Sequence, residues 1–335
     1  MLIFVYEHQS GGGFPTEPQR SSEAASLAAE GEMMRAALTA DLAAIDGVEV
    51  AGLPPRRFAH SPEERDATFD ELAAQADWTV VIAPEIGGVL MERCQRVVQV
   101  GGRLLGGSLP TIFLAGDKHA TATQLAVAGV PVPLGVRHEL GEPWPENFRY
   151  PAVWKPLDGA GSTGLRLIEH HDTPVPVAER RPGRLEERCP RSTPLLPGIA
   201  ASVAFFCGPA GPLGLPPCRQ HIGEHFRYLG GSLPLEPPLA ERARRLARRA
   251  VDTLPEPLGY IGVDLVLATE DEANDVVIEI NPRLTTSYCG LRAACRDNLA
   301  AAMLAVAGGR EFGVSFRAAP VTWKAVAWKP AGNGL

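Results

Sequence analysis

Asp264, Glu279 and Asn281 are the residues of this chain whose types and spacing point most directly to chemistry. They sit in two apolar runs, Gly262-Val-Asp-Leu-Val-Leu267 and Val277-Ile-Glu-Ile-Asn281, the second followed by Pro282 and Arg283. Side chains alternate across a strand, so Glu279 and Asn281 share one face while Ile278 and Ile280 take the other. The acidic stretch 268–275 has no apolar periodicity and reads as a hairpin connection. Folding the two strands back on each other brings Asp264 beside Glu279. Two carboxylates and an amide oxygen suit Mg2+ or Mn2+. Magnesium takes oxygen ligands at about 2.1 Å, usually one or two carboxylates plus substrate phosphates. Arg283, just past the second strand, is within reach of a phosphate oxygen. Read alone, the same residues also fit an edge hairpin with its acids in solvent.

Two lysines and a glycine-rich segment add the cations such a site needs. Lys118 opens a helix behind Asp117, whose side chain suits the N-cap. A cation in the first turn opposes the helix dipole, and a local conflict of this kind favours a functional lysine over a solvated one. Lys155 ends the apolar run Tyr150-Pro-Ala-Val-Trp-Lys155. Leu157-Asp-Gly159-Ala-Gly161-Ser162-Thr-Gly164 follows, and Leu165-Arg-Leu-Ile168 resumes a strand. This predicts a hairpin whose tip covers a polyphosphate: Gly159, Gly161 and Gly164 let backbone N–H groups approach, and Ser162 adds a hydroxyl donor. It is not a Walker A loop, because the lysine precedes the glycines and no helix follows them.

The elements around these residues alternate. Strands are expected at 2–6, 48–53 and 78–83, and helices at 21–45, from Ser61-Pro-Glu-Glu onward, and over 88–98. Strands alternating with helices imply a parallel sheet, so residues 1–110 read as a Rossmann-like lobe. The first strand is followed by Gly11-Gly12-Gly13 and not by G-x-G-x-x-G, so no nicotinamide cofactor is assigned. Glu7 and His8 end that strand, where ligands often touch. Arg219-Gln-His221 either lines a substrate site or is exposed strand. The arginines of 241–249 fall at helical spacing and read as a solvated helix face.

Composition sets outer limits. The chain has 335 residues, 45% of them hydrophobic, enough for two or three lobes with cores. No apolar run reaches the roughly 20 residues that span a bilayer. The first residues read as a buried strand, not a signal peptide. A net charge of −7 argues against a general nucleic-acid binder. The cysteines at 94, 189, 207, 218, 289 and 295 form no C-x-x-C pair, which suggests reduced thiols and a cytoplasmic setting. A homodimer is left open.

In the order Gly116-Asp117-Lys118, Lys155-Pro156 with Gly159 to Gly164, then Asp264 and Glu279-Ile-Asn281-Pro, the chain resembles the ATP-grasp superfamily over residues 116–307. Within it, Lys155-Pro-Leu-Asp-Gly-Ala-Gly-Ser, Gly259-Tyr-Ile-Gly-Val-Asp264 and Asn281-Pro-Arg-Leu-Thr-Thr-Ser-Tyr288 are similar to the tyramine–glutamate ligases of methanofuran biosynthesis and related bacterial proteins. The resemblance implies an α/β and α+β, three-lobe ATP-grasp fold: a Rossmann-like lobe over 1–110, a central subdomain with the glycine-rich lid over 111–185, a second subdomain with the metal site over 186–310, and a tail over 311–335. ATP would lie between the two subdomains. Lys118 and Lys155 would contact its phosphates and Glu186 and Glu187 would lie at the adenine hinge. Asp264, Glu279 and Asn281 would hold the metal. The stretch 188–198 after the hinge looks longer and more proline-rich than is usual for the superfamily.

The implied reaction is ATP-dependent amide formation through an acyl phosphate, with glutamate as the acid and tyramine or tyrosine as the amine. Lys155 would act on the transferring phosphoryl group. Arg283 would stabilise the tetrahedral intermediate. Thr285, Thr286 and Ser287, just beyond the metal residues, offer short hydroxyls to an amino-acid substrate, and Gly12 could close over it from the first lobe. The alternatives are another peptide or amino-acid ligase, or a nucleotide-binding regulator without turnover.

Overall fold

The computed structural model describes residues 1–10, 22–54, 61–139, 142–158, 164–174, 183–187 and 198–325. Strand β1 (Leu2–Glu7) runs parallel between β2 (Glu49–Ala51) and β3 (Trp78–Ile82), with Leu2 opposite Glu49 and Ile3 opposite Trp78. Every residue of β3 is buried, as its unbroken apolar run requires of a strand covered on both faces. The helices around this sheet are α1 (Ser22–Ala43), α2 (Pro62–Gln75) and α3 (Val89–Gln99). Ser61 and Glu64 form the reciprocal capping box that starts α2. Phe4 and Tyr6 from β1 pack edge-on against Phe69 of α2.

Two short helices, α4 (Leu109–Ala115) and α5 (Lys118–Val127), lead into an antiparallel sheet. Its order is β4 (Gly135–His138), β7 (Gly183–Glu187), β5 (Ala152–Pro156), β6 (Arg166–Ile168). Its buried core is small: Trp144, Ala152, Trp154 and Ile168, with Phe148 and Tyr150 against them. Asp117 Oδ1 accepts from the amides of His119 and Ala120, which is the N-cap its position predicts.

The largest sheet orders β13 (Val276–Asn281), β12 (Gly259–Leu267), β8 (Ile199–Cys207), β10 (Cys218–Ile222), β11 (Tyr228–Leu233) and β14 (Val321–Lys324), with β9 (Leu213–Gly214) paired to β8. Helix α6 (Pro237–Val251) buries Ala243, Leu246, Ala247 and Ala250 in one core of this sheet. Its arginines form ion pairs: Arg242 with Asp275, Arg245 with Glu272, Arg248 with Asp252. Asp275 also accepts from the amide of Ala268, which ties off the 268–275 connection. Helices α7 (Ser287–Ala294) and α8 (Leu299–Ala307) belong to a core that also takes in Ile3 and Val5 of β1 and Met34 and Leu38 of α1. The first lobe and the large sheet therefore share one core. Asp41 of α1 reinforces the join by accepting from Tyr288 and Arg292.

One expectation needs correction. The stretch 311–335 is not simply a tail, because β14 pairs antiparallel with β11 and extends the large sheet. A pattern of four residues is too short to identify an edge strand without its partner.

Candidate active site

The hairpin of β12 and β13 sets Asp264 directly opposite Glu279 and Gly262 opposite Asn281, with a β-bulge just after Asp264. Facing pairs lie on one side of the sheet, so all three polar side chains converge. Asn281 Nδ2 donates to Asp264 Oδ2 at 3.1 Å, and Gln220 Nε2 of β10 donates to Asp264 Oδ1 at 2.9 Å. Neither neighbour carries a charge. Burial, and then the nearby Glu279 carboxylate, push the Asp264 pKa up to about 7. Burial acts in the same direction on Glu279. The adjacent Lys118 ammonium, together with Lys155 and Arg283, offsets it and holds that carboxyl below its usual range. Among the described residues, no group of three or more His, Cys, Asp and Glu is set to hold a metal. The candidate site is instead two carboxylates and the Asn281 amide, an all-oxygen donor set with a surplus of negative charge. Such a set fits Mg2+ or Mn2+ better than a softer metal.

Three cations surround this trio. Lys118 Nζ pairs with Glu279 Oε1 at 2.8 Å. The α5 N-terminus aims this lysine inward, and its amide donates to Leu157 O just past β5. The backbone position that opposes the helix dipole is thus matched by a partly buried carboxylate. Lys155 Nζ pairs with Glu186 Oε2 at 2.8 Å and donates to Ile278 O at 3.3 Å. Arg283 makes a two-pronged pair with Glu85, Nε to Oε1 at 3.0 Å and Nη2 to Oε2 at 2.9 Å.

These groups line one cavity of about 430 Å³. Its wall includes Lys118, Lys155, Glu186, Asp264, Glu279, Asn281, Arg283, Thr285, Thr286 and Ser287. Glu7, Glu30, Leu27 and Met34 line it from the first lobe. Burial raises the pKa of both Glu7 and Glu30.

The structure adds partners to several of the expected site residues. Glu186 is bound on one oxygen by Lys155 and on the other by Arg184. Its carboxylate holds those two cations in place. Glu187 follows it on β7, paired with Ala152 of β5. Thr285 and Ser287 bond each other at 2.7 Å and both bond the buried Tyr260 hydroxyl. They form a hydroxyl cluster at the cavity edge, and Thr286 hydrogen-bonds the hydroxyl of Tyr228, another cavity residue. Gly164 has a left-handed φ of 78° and packs against the Pro156 ring. Gly12, Gly159, Gly161 and Ser162 lie outside the described residues.

A family model described as an ATP-grasp domain matches residues 115–287, more than half of the chain, and a pre-ATP-grasp domain model matches residues 56–112. The chain belongs to the ATP-grasp family. The solved structures similar to this ATP-grasp chain share its fold at low identity. One is a putative ATP-grasp protein from Archaeoglobus fulgidus, with 22% identity and a TM-score of 0.69 over 92% of this chain and 89% of that one. Another is the ADP complex of N5-carboxyaminoimidazole synthetase from Staphylococcus aureus, with 14% identity and a TM-score of 0.64 over 94% and 79%. A third is the D-alanine–D-alanine ligase of Bacillus anthracis with ATP, at 18% identity and a TM-score of 0.57 over 84% and 86%. A curated relative, tyramine–L-glutamate ligase of Methanocaldococcus fervens, is 27% identical over 217 residues, which are 64% of this chain and 62% of the relative. The match thus spans less than two thirds of that protein's length.

Sequence reasoning did not single out Glu85, which holds Arg283, or Glu30, which lines the cavity of this ATP-grasp chain. Glu85 stands three residues past β3. The carboxyl end of a parallel strand is a common ligand edge, and that rule could have flagged it. Glu30 lies inside a helix whose sequence gives no comparable signal.

Proposed function

We propose that this chain is an ATP-dependent carboxylate–amine ligase that joins the γ-carboxyl of glutamate to an aromatic amine, tyramine or tyrosine, for a methanofuran-type one-carbon cofactor. The observation that carries the reading is the convergence of Asp264, Glu279, Asn281, Lys118, Lys155 and Arg283 on one cavity. A carboxylate does not acylate an amine unaided, because oxide is a poor leaving group. Phosphoryl transfer from ATP gives an acyl phosphate, and the amine then displaces phosphate. Asp264, Glu279 and Asn281 would hold a divalent ion. When bound, that ion supplies charge neutralisation at the phosphate oxygens. Lys155 and Lys118 contribute positive charge from rigid strand and helix ends, so little reorganisation accompanies the reaction. Arg283 offers its guanidinium to the oxyanion of the tetrahedral intermediate.

Support for the amine comes from the apolar and acidic lining of the cavity. Leu27, Met34, Ile82, Phe226 and Tyr228 give it apolar area for an aromatic ring, and Glu7 and Glu30 give it acids for an ammonium group. Carboxyls with raised pKa values are suited to take the proton an amine must lose before it attacks. The similarity to the tyramine–L-glutamate ligase points the same way. The test is an ADP-release screen of carboxylates against amines, with mass spectrometry of the products. Glutamate should yield ADP only when an amine is present, and tyramine or tyrosine should outperform small alkyl amines. Equal turnover with alanine or aspartate as the acid would overturn the glutamate assignment. No ADP release with any pair would overturn the ligase reading.

A further inference from the structure

The short turn that follows β3, residues 85–88, bonds to the two chain segments that carry Arg283 and Lys155 into the cavity. On the first, Glu85 grips Arg283 through two parallel hydrogen bonds of 3.0 and 2.9 Å, with side-chain exposures of only 5% and 12%. On the other, the Gly87 amide donates to Asp158 Oδ2 at 2.8 Å. Asp158 lies two residues past the end of β5, the strand that carries Lys155. Both contacts depend on an unusual backbone. Gly87 and Gly88 have consecutive left-handed φ values of 62° and 73°. A side chain is strained in that conformation, even though open space surrounds Gly87. A second tether holds the loop of Arg283 to the first lobe, where the Gly107 amide donates to Pro282 O at 3.3 Å.

A buried ion pair of this kind adds little net stability compared with apolar packing, because desolvation offsets its attraction. What it does supply is orientation. The two-pronged grip fixes the guanidinium plane, and Nη1 of Arg283 is further bonded to Leu284 O at 3.3 Å. We infer that residues 85–88 form a two-ended clamp: Glu85 is a positioning residue for Arg283, and its seat depends on the Gly87–Asp158 bond, so the arginine and lysine banks of the cavity are set together. The inference rests on the ligase reading for the role of Arg283. It goes beyond that reading by making the first lobe part of the catalytic geometry.

The test uses the full chain with Glu85→Gln, Glu85→Asp, Asp158→Ala and the double change Glu85→Gln/Asp158→Ala. In amide exchange followed by mass spectrometry, Asp158→Ala should speed exchange of peptides covering 281–289 by about tenfold. With ATP, glutamate and tyramine, Glu85→Gln should lower kcat by about 10- to 100-fold, as loss of an orienting partner does, with the ATP KM changed by no more than about twofold. Glu85→Asp should recover part of that loss. The double variant should be no slower than the slower single, because both changes break one device. Unchanged exchange at 281–289 in Asp158→Ala, or losses that multiply in the double variant, would overturn the clamp. The exchange arm needs neither nucleotide nor acceptor. Exchange coupling without turnover therefore overturns the ligase reading alone, and turnover without coupling overturns the clamp alone. Should Glu85→Gln not fold, the Asp158→Ala change at a half-buried position still decides the matter through exchange.

Discussion

Glu279 has two partners to satisfy, the candidate metal and Lys118. Replacing it with glutamine keeps the shape and removes the charge that a hard cation prefers. Outer partners of metal ligands already cost about 10- to 100-fold, so loss of a direct ligand should lower divalent-dependent turnover by more than about 100-fold. Lys118, buried 2.8 Å from Glu279, also loses its counter-charge, so folded stability should fall by about 1–3 kcal/mol. A magnesium titration of initial rate and a urea denaturation series measure the two effects separately, and near-wild-type rates across the titration would remove Glu279 from the site. Lys155→Met tests the opposite charge. Glu186 would keep its bond to Arg184 but lose the lysine. ATP affinity by calorimetry and turnover should both fall, turnover by on the order of 100-fold, since preorganised charge at the phosphates is removed. Unchanged values for both would contradict the assignment.

At the scale of elements, the register of β12 on β13 and the seating of α7 on the edge of the sheet decide whether the site assembles. Gly290 in α7 faces the Trp323 ring of β14, and a Cβ there would meet ring carbons at 2.2 to 2.6 Å. The helix can lie this close to the edge strand only because that position has no side chain. Gly290→Ala should therefore cost about 1–3 kcal/mol by overpacking, against a normal gain for alanine in a helix. Chemical denaturation checks the sign. A stabilised Gly290→Ala protein would mean that β14 does not pack there. Helix α7 starts at Ser287, next to the substrate-side hydroxyls, so the same variant should also raise the amino-acid KM while leaving the ATP KM nearly unchanged.

For the molecule as a whole, one core joins β1 and α1 of the first lobe to α7, α8 and the large sheet. The four-stranded sheet rests on a separate and much smaller cluster. Buried cysteines report on the integrity of the larger packed regions. Cys94 lies in α3, Cys207 in β8 and Cys218 in β10, all buried. Burial pushes the Cys207 and Cys218 thiols up to about 12, and raises Cys94 as well. In the native protein at pH 8, peptides carrying these three should stay unlabelled by a maleimide and become labelled in denaturant. The linkage has a definite sign. A thiol whose folded pKa lies above its unfolded value near 9 leaves stability untouched below that value. Stability is then lost as pH rises from about 9 toward 12, because only the unfolded chain releases the proton. Rapid native labelling, or stability rising across that window, would contradict the buried placement.

The sequence by itself determined the pieces. Period-two alternation put Glu279 and Asn281 on one face, the apolar runs marked β3 and the β12–β13 hairpin, and Asp117 signalled the start of α5. Those properties are local, written within a few residues of the group concerned, so they can be read without knowing the fold. Lys118, Lys155, the glycine-rich segment and the Asp264, Glu279 and Asn281 trio, in that chain order, were enough to suggest ATP-grasp, and the family model bears that out. Only the tertiary structure decided who pairs with whom. Glu85 meets Arg283 across 198 positions of chain, Lys118 meets Glu279 across 161, and Gln220 meets Asp264 across 44. It also set Glu186 between Lys155 and Arg184, closed Thr285 and Ser287 onto Tyr260, and made residues 321–324 an edge strand. Each of these depends on which buried charge or hydroxyl lacks a partner once the sheets are packed. That is a property of the assembled interior, where every polar group taken from water must find its bond, and no short window of sequence contains it.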